Sequence, residues 1–509
     1  MAKTYSFFSI AQPTNPSATA VSGGSLTANT TFFYRILKVS PQAVGINLNG
    51  KSRISSQFSV TTTSTDRTAR ITFSCPIQTG CSYRIFRSTS PTEIGTSANL
   101  GHINFFPTDA LHNVGGVVTF VDDGSGTVMT NNFAEINDQA NGVLTLGGST
   151  SGNPFTIVDL FNADVANGWG VIQRLDLNTY KVNCFLIGHT NLHWVDENKT
   201  IIFADGFNIG AGSNFRFGRT TGNRTSRGCE IIITGSWLTT FSFPFLFAYR
   251  TIFKYIYNIT PEPIGLGLVG ANFSNGILHD CQIDGFRNFG GTALCTYLNV
   301  TMSRFDNAFG AGASSFNNVR MLQGSRVFQT AGSTNITARG LFVEGSWVLL
   351  IFGLNNTINL INTIYTQIGV AQSISTGTII NDQSTLNLHI TDSVGNNLEN
   401  VSVVITDREN NVVVNAVTNA QGRIAEQIIT KTRFSVTETT ISAPNIRSPF
   451  RMTLFREGFE TYTSIESFGL ETFYRITLQP VVRLRKTIDG KLLKALKSET
   501  GSRADLLEL

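Results

Sequence analysis

Five similar stretches between residues 277 and 367 decide the fold of this 509-residue chain. Each joins short apolar strand sequence to Asn or Gly: ILHDCQIDGF (277–286), YLNVTMSRF (297–305), FNNVRMLQGS (316–325), ITARGLFVEG (336–345) and INLINTIYTQ (358–367). Apolar residues recur at a nearly constant interval, at Ile256, Ile277, Leu298, Val319 and Leu341. A repeat of about 21 residues is typical of a solenoid built from short strands. We therefore predict that residues 165–380 form a right-handed parallel β-helix.

In such a solenoid each coil adds about 4.8 Å along the axis, and the inward residues stack into apolar ladders. Asn and Gly suit the corners because both tolerate a left-handed backbone. The 38 Phe against 11 Tyr are consistent with a long apolar interior. A large jelly roll or an irregular sandwich is the alternative for this section.

The composition excludes several classes of protein. Only 14% of residues are charged, where about 25% is usual. Abundant Thr, Val, Ile and Phe favour strands, so helical bundles, coiled coils and disordered chains are poor fits. The net charge of +4 is too small for broad phosphate contact, and we expect no nucleic-acid binding. The sequence has neither a signal peptide nor an apolar run long enough to cross a membrane. We therefore expect that the chain is made in a cytoplasm and does not insert into a membrane.

The N-terminal region is predicted to be a separate module. Residues 1–20 suggest an extended leader, residues 21–125 an antiparallel sandwich of short alternating strands, and residues 126–164 a junction. The motifs FFYRI (32–36), YRIFRST (83–89) and FVDDG (120–124) resemble the fibronectin-III-like module of tailed-bacteriophage tail and fibre proteins, although Asn29 stands where that module has Gly. The resemblance implies a spacer or docking unit.

The C-terminal region changes character again. Residues 385–480 hold a hairpin series with the turns SVGNN, RENN and NAQG, followed by MTLFREGFETYTSI. This segment resembles the carboxypeptidase-regulatory, transthyretin-like Ig-type domain, which implies a small accessory sandwich without chemistry of its own. Residues 481–509 form a basic tail, and we predict a short amphipathic helix that docks on a partner through Arg483, Arg485, Lys486, Leu492, Leu493 and Leu496. A solvated, frayed terminus is the alternative.

Few residues suggest chemistry. No nucleophile elbow, phosphate loop or calcium loop is present, and His189 and His193 lie in strand-like sequence, so we predict no cofactor and no metal site. Paired carboxylates could cleave a glycan if adjacent coils brought them together, and the weak candidates are Asp280, Asp284 and Asp306. Turn capping is the favoured role for all three.

Cys75 and Cys81 flank a turn and could form a disulfide, although reduced thiols are favoured.

The order of modules favours a function in a virus particle. A fibronectin-like module, a β-helix and a regulatory-type sandwich together resemble a tailed-bacteriophage virion protein. We expect a structural tail protein (a fibre, a spike or a baseplate-associated protein) that forms a homotrimer, contacts other virion proteins and attaches to a host cell-surface glycan or protein. The alternatives are a tailspike that depolymerises glycans and a decoration or head fibre attached to the capsid.

Overall fold

The computed structural model describes most of the chain. It covers residues 3–39, 50–78, 80–91, 102–105, 113–114, 116–126, 142–189, 191–204, 207–209, 214–218, 228–234, 241–255, 270–286, 288–291, 295–309, 315–330, 335–344, 346–351, 356–365, 367–373, 377–437, 440–481, 483–486, 492–495 and 506–508. Strands dominate these residues, with one helix of 11 residues, so the predicted all-β class is confirmed. Two compact units form: residues 1–334, 342–352 and 365–372, and residues 335–341, 353–364 and 373–509.

The first unit begins with a two-sheet antiparallel sandwich. Its strands and the strand before them are β1 (Tyr5–Phe8), β2 (Thr14–Val21), β3 (Thr31–Val39), β4 (Phe58–Thr61), β5 (Thr68–Ser74), β6 (Ser82–Ser88), β7 (His102–Phe105), β8 (Asn113–Val114) and β9 (Val117–Asp122). The sheets have the strand orders β2-β5-β9-β8 and β4-β3-β6-β7. Ile71 and Phe73 of one sheet share a buried core with Tyr34, Ile36 and Ile85 of the other.

The predicted leader, residues 1–20, contains strands that pair with the rest of the first unit. Strand β1 pairs antiparallel with β10 (Val143–Leu146), and β2 belongs to the sandwich through its pairing with β5. Between them Ile10 is 1% exposed and packs with Val143 and Phe185. The alternating aromatic residues of β1 and the apolar Ile10 have buried partners, which is why this segment does not extend into solvent.

The rest of the first unit forms stacked coils, and residues 335–341 and 353–364, which lie within the same stretch of sequence, belong to the second unit. The helix and strands are α1 (Ile157–Asn167), β11 (Ile172–Arg174), β12 (Thr179–Val182), β13 (Phe185–Gly188), β14 (His193–Asp196), β15 (Thr200–Phe203), β16 (Phe207–Ile209), β17 (Asn214–Phe217), β18 (Glu230–Ile233), β19 (Phe241–Tyr249), β20 (Ile252–Tyr255), β21 (Gly270–His279), β22 (Gln282–Asp284), β23 (Asn288–Gly291), β24 (Cys295–Leu298), β25 (Thr301–Phe309), β26 (Ser315–Asn317), β27 (Arg320–Thr330), β28 (Asn335–Arg339), β29 (Phe342–Val343), β30 (Ser346–Ile351), β31 (Thr357–Ile361) and β32 (Gln367–Ser373). Helix α1 was not predicted.

Strands of successive coils pair in parallel on three faces, and we call this arrangement the parallel stack. In the first unit the first face has the order β12-β15-β18-β20-β22-β25-β27-β29. The second face runs from β10 and β13 through β16, β19, β21, β23, β25, β27 and β30 to β32. The third face has the order β14-β17-β19-β21-β24-β26. None of the helical structure described here has the length and apolarity of a membrane span.

The pairing register differs from the constant ladder that the sequence repeat predicts. Tyr180 does lie opposite Ile201, at the predicted spacing, but Ile277 lies opposite Thr296 and Leu298 opposite Asn317, both at a shorter spacing. Arg320 lies opposite Phe342, at a longer one. Ile256 lies outside the described residues. The number of residues in the corners differs from coil to coil. Residues at a constant interval in the sequence therefore do not all fall in the same buried row of the stack.

The second unit joins parallel coils to a second sandwich. Its remaining strands are β33 (Thr378–Thr391), β34 (Ser402–Thr406), β35 (Val412–Val417), β36 (Gln427–Thr437), β37 (Thr440–Ile441), β38 (Asn445–Ile446), β39 (Phe450–Phe455), β40 (Tyr462–Glu466), β41 (Glu471–Thr477), β42 (Arg483–Lys486), β43 (Leu492–Ala495) and β44 (Leu506–Glu508). Strand β28 pairs in parallel with β31, and β31 with the first half of β33. The second half of β33 pairs with β41 and packs on the sheet β35-β34-β39-β40. A single 14-residue strand therefore crosses the boundary that we predicted between residues 380 and 385.

The predicted tail helix is wrong. Strands β42, β43 and β44 form an antiparallel sheet, with Arg485 opposite Leu493 and Lys486 opposite Leu492. Leu496 lies outside the described residues. The helical spacing spans only about two turns, and isolated helices shorter than about 12 residues are marginal, so strand pairing prevails.

Candidate binding surface on the first face

The first face of the parallel stack turns two rows of side chains outward. The buried row between them consists of Tyr180, Ile201, Ile231, Phe253, Ile283, Met302, Met321 and Val343. Because successive residues of a strand point to opposite sides, the residues on either side of this row face outward. The first outer row is Thr179, Thr200, Glu230, Ile252, Gln282, Thr301, Arg320 and Phe342, and the second begins Lys181, Ile202, Ile232, Lys254, Asp284 and Ser303.

The end of the first outer row combines polar and aromatic groups. Gln282 and Arg320 are exposed, Thr301 is half-buried between them, and the Arg320 guanidinium lies 5.3 Å from the centroid of the Phe342 ring. Such a cation–π contact fixes the orientation of an otherwise flexible Arg. The four residues lie on successive coils about 4.8 Å apart, so they form a regular surface of hydrogen-bonding groups ending in an aromatic ring.

Asp284, in the second outer row, has its carboxylate occupied. Arg304 Nε and Nη2 donate to its two oxygens at 2.7 and 2.6 Å, and Ser303 Oγ donates at 2.8 Å. Partial burial raises the pKa of this carboxyl, but the bonds from Arg304 and Ser303, with the charges of Arg304 and Lys254, outweigh it and hold the pKa below its usual range. A carboxylate held ionised and bound on both oxygens is a poor general acid.

Asp280 caps a corner between coils. Its backbone is left-handed, with φ of 54°, and the same corner in the next two coils holds Asn299 and Asn318 at φ of 53°. Asn299 Nδ2 donates to Asp280 Oδ1 at 2.9 Å, and Asn318 Nδ2 donates to Asn299 Oδ1 at 2.8 Å. His279 Nε2 lies 3.5 Å from Asp280 Oδ2. These contacts are those of a turn-capping residue in an amide ladder.

The register does not stack the candidate acids on one another. Asp284 lies opposite Ser303, whereas Asp306 comes later in β25, beyond the corner at Arg304. The side chain of Asp306 is outside the described residues.

Sequence reasoning missed Gln282, Thr301, Arg320 and Phe342. Each of them follows the left-handed corner residue of its coil by two positions, and this spacing from an Asp, Asn or Gly corner could have identified the row from the sequence.

The motifs of the N-terminal resemblance form a buried network. Tyr34 donates to Asp122 Oδ2 at 2.9 Å, and Arg87 Nη1 lies 2.7 and 2.8 Å from the two carboxylate oxygens of Asp122. Asp122 is 2% exposed. Tyr34 and Arg87 lie in one sheet and Asp122 in the other, so this network connects the two sheets and has a structural role.

The cysteines and the possible metal ligands are the remaining candidates among the described residues. All six cysteines are buried, Cys75 and Cys81 form no disulfide with each other, and burial raises the pKa of Cys281 and Cys295 to about 12. Buried thiols with raised pKa values are unreactive. Within the described part of the chain no group of His, Cys, Asp and Glu is arranged to hold a metal ion.

Comparisons with known proteins give little similarity. No family model matches the chain, and no curated protein matches it. One solved structure that matches in part is the Bacillus anthracis TIE protein, at 16% identity and a TM-score of 0.16. The match covers 28% of this chain and 30% of that one. This similarity is too low to indicate a shared fold.

Proposed function

We propose that the chain is a structural protein of a tailed-bacteriophage virion, in the tail as a fibre, spike or baseplate-associated protein, and that it attaches the particle to the host surface. The first outer row, with Gln282, Thr301, Arg320 and Phe342, is the contact surface for a host glycan or protein. The observation that carries the proposal is the parallel stack with outward polar rows. It stands together with the N-terminal sandwich, whose motifs resemble a phage fibronectin-III-like module, and the C-terminal sandwich, whose motifs resemble a carboxypeptidase-regulatory domain.

Hydrogen-bonding groups beside an aromatic ring suit a glycan or a polar protein surface. Gln, Thr and Arg donate hydrogen bonds to hydroxyl and carbonyl oxygens, and an aromatic ring packs against apolar C–H faces. Enzymatic cleavage is not favoured, because Asp284 is bound by Arg304 and Asp280 is part of a corner ladder.

Immunogold labelling of intact particles with antibodies against the chain tests its place in the virion. We expect label at the tail. Label on the capsid would support the head-fibre alternative, and the absence of label would overturn the virion proposal.

Binding of the fluorescently labelled full chain to host cells tests the contact surface. We expect Arg320→Ala combined with Phe342→Ala to reduce binding at least tenfold, since removing central aromatic and Arg contacts costs about 2 kcal/mol or more. Arg216→Ala, at an exposed position on the third face, is the control. Equal binding by all three proteins would place the contact elsewhere.

Association into a homotrimer belongs to the same proposal. The tail strands β42, β43 and β44 are short, and small isolated sheets are at best marginally stable, so contact with sister chains or other virion proteins would stabilise them. Light scattering should give three times the chain mass of 55.4 kDa for the full chain. A chain ending at residue 481 should give the mass of a single truncated chain. A mass of three truncated chains would show that the tail is not needed for assembly.

A further inference from the structure

The hairpin of β11 and β12 presents two leucines to solvent at the start of the parallel stack. Leu175 and Leu177 lie in its turn, residues 175–178, and are 54% and 72% exposed. Apolar surface is unfavourable in water, so a partner that covers both side chains gains free energy from their burial. The bonds around the turn decide whether such a partner meets a fixed surface.

The polar groups of the turn are bonded to one another. Asp176 Oδ1 accepts the main-chain N–H groups of Asn178 and Thr179, both at 2.8 Å. Arg174 Nε and Nη2 donate to the carbonyl oxygens of Asp176 and Leu177 at 3.0 and 3.3 Å. These bonds fix the backbone on both sides of Leu177. A partner therefore meets a preorganised turn, which loses little conformational freedom on binding.

The next coil also bonds the turn. Lys199 Nζ donates to Asn178 Oδ1 at 2.9 Å, and the main-chain N–H of Thr200 donates to the Asn178 carbonyl at 3.0 Å. Lys199 Nζ and the Arg174 guanidinium lie 5.7 and 6.0 Å from the centroid of the Tyr180 ring. Tyr180 is 2% exposed, so the hairpin is attached to the buried interior of the first coil.

The surroundings of the turn are positively charged. Arg174 and Lys181 lie on the hairpin and Lys199 bonds its turn, whereas Asp176 is the acid within the turn. An excess of cations attracts an acidic surface and disfavours a basic one. The two exposed leucines require an apolar environment, so the complementary surface is an apolar pocket with an acidic rim.

A protein pocket suits this turn better than a lipid surface does. Asp176 lies between the two leucines in the sequence, and a carboxylate is costly to bring into the apolar part of a membrane. At a protein surface the same carboxylate can remain bonded to the N–H groups of the turn while the leucines enter the pocket.

We propose that residues 175–178 are a docking turn that binds the chain to another protein of the virus particle, one whose surface offers an apolar pocket with an acidic rim. This inference rests on the virion function proposed above. Thr179, next to the turn, begins the first outer row, and Phe342 ends it. The docking turn and the contact surface for the host therefore lie at opposite ends of the first face.

Titration of the purified full chain onto particles grown without it tests the docking turn, with the bound chain measured after sedimentation. We expect Leu175→Ser combined with Leu177→Ser to raise the half-saturating concentration at least about tenfold, because a few central contacts dominate the affinity of protein interfaces. Val394→Ser is the matched control and should bind like the natural chain. Val394 is 70% exposed in a turn of the second sandwich, where its N–H donates to Asp392 Oδ1.

A charge variant tests the acidic rim in the same titration. Lys181→Glu should raise the half-saturating concentration about threefold or more, since like charges across an interface repel. An unchanged affinity in Lys181→Glu would overturn the acidic rim. All the substituted side chains are exposed or half-buried, and circular dichroism of each variant checks that it folds like the natural chain.

Three results would overturn the docking turn as a whole. The first is natural affinity in the double leucine variant, and the second is an equal loss in Val394→Ser. The third is binding to vesicles of phosphatidylcholine and phosphatidylglycerol that the leucine substitutions abolish, which would identify a lipid surface instead. If the natural chain does not bind the particles, the docking turn is also wrong, whereas immunogold labelling of natural particles decides separately whether the chain belongs to the virion.

Discussion

At the scale of single residues, the corners of the parallel stack depend on side chains that accept a left-handed backbone. Asn299 does so at φ of 53°, and its amide both donates to Asp280 and accepts from Asn318. Left-handed backbone costs most residues about 1 kcal/mol, and Asn tolerates it better because its short polar side chain bonds locally. The corner residue thus sets the turn and connects neighbouring coils.

Replacing Asn299 separates these two contributions. Asn299→Ala should lower the free energy of unfolding by about 2 kcal/mol, since it loses two exposed side-chain bonds and strains the turn. Asn299→Gly loses the bonds but keeps the permitted backbone, and should cost about 1 kcal/mol or less. Urea unfolding measures both. Equal losses for Ala and Gly would show that the left-handed backbone contributes nothing.

The buried Asp122 allows a second test at this scale. Asp122→Ala leaves the Arg87 guanidinium and the Tyr34 hydroxyl without their acceptor, so we expect a loss of about 3–5 kcal/mol in the first sandwich. Tyr34→Phe removes one bond and should cost about 1–2 kcal/mol. Calorimetry would show both as a shift of one unfolding transition, and a shift as small for Asp122→Ala as for Tyr34→Phe would contradict the network.

At the scale of elements, the long strand β33 connects the parallel coils of the second unit to its sandwich. Its first half pairs with β31 of the coils and with β36, and its second half carries Leu386, Leu388 and Ile390 into the sandwich core. Arg339 of β28 forms a two-bond ion pair with Glu426, at 2.8 and 2.7 Å. The pair is about one-third exposed, so its own contribution is small. The continuous strand is the stronger connection.

A proline in the middle of β33 should break that connection. The main-chain N–H of Thr385 donates to Asn362 Oδ1 at 3.0 Å, and the side-chain Oγ1 of Thr385 accepts from Asn362 Nδ2 at 2.8 Å. Thr385→Pro removes the N–H and should cost about 3 kcal/mol or more, and the second unit should then unfold in two steps. Thr385→Val keeps the backbone and is the matched control. A single, unshifted transition in the proline variant would show that β33 is not the connecting element.

At the scale of the whole molecule, the inward and outward rows of the coils differ in polarity. The inward rows of the described coils are apolar, with Asp196 as an exception, and the two outward rows of the first face mix Thr, Ser, Gln and Ile with Lys181, Glu230, Lys254, Asp284 and Arg320. A chain with only 14% charged residues suits contacts between protein chains and with neutral ligands, since little desolvation of ions is needed. This property agrees with the proposed binding and building role.

Low surface charge also predicts weak salt dependence of host attachment. Raising the ionic strength from about 0.05 to 0.5 M should change the binding of the full chain to host cells less than threefold, because screening acts on exposed charges. A host-binding assay in a salt series measures it. A drop of tenfold or more would indicate a mainly electrostatic contact and would contradict a contact surface in which Arg320 is the one charged group beside Gln282, Thr301 and Phe342.

By itself the sequence determined the all-β class, the position of the motifs in the N-terminal sandwich and the corner residues, because strand alternation and left-handed tolerance are local properties of a few residues. The tertiary structure alone decided the register of each coil on the next, the pairing of Asp284 with Arg304 and the strands of the tail. It also decided the helix that covers the first coil and the burial of Asp196 beneath it. Each of these features depends on corner lengths and on contacts between residues that are far apart in the chain. A short stretch of sequence does not show which distant residues will come into contact, so it cannot predict these features.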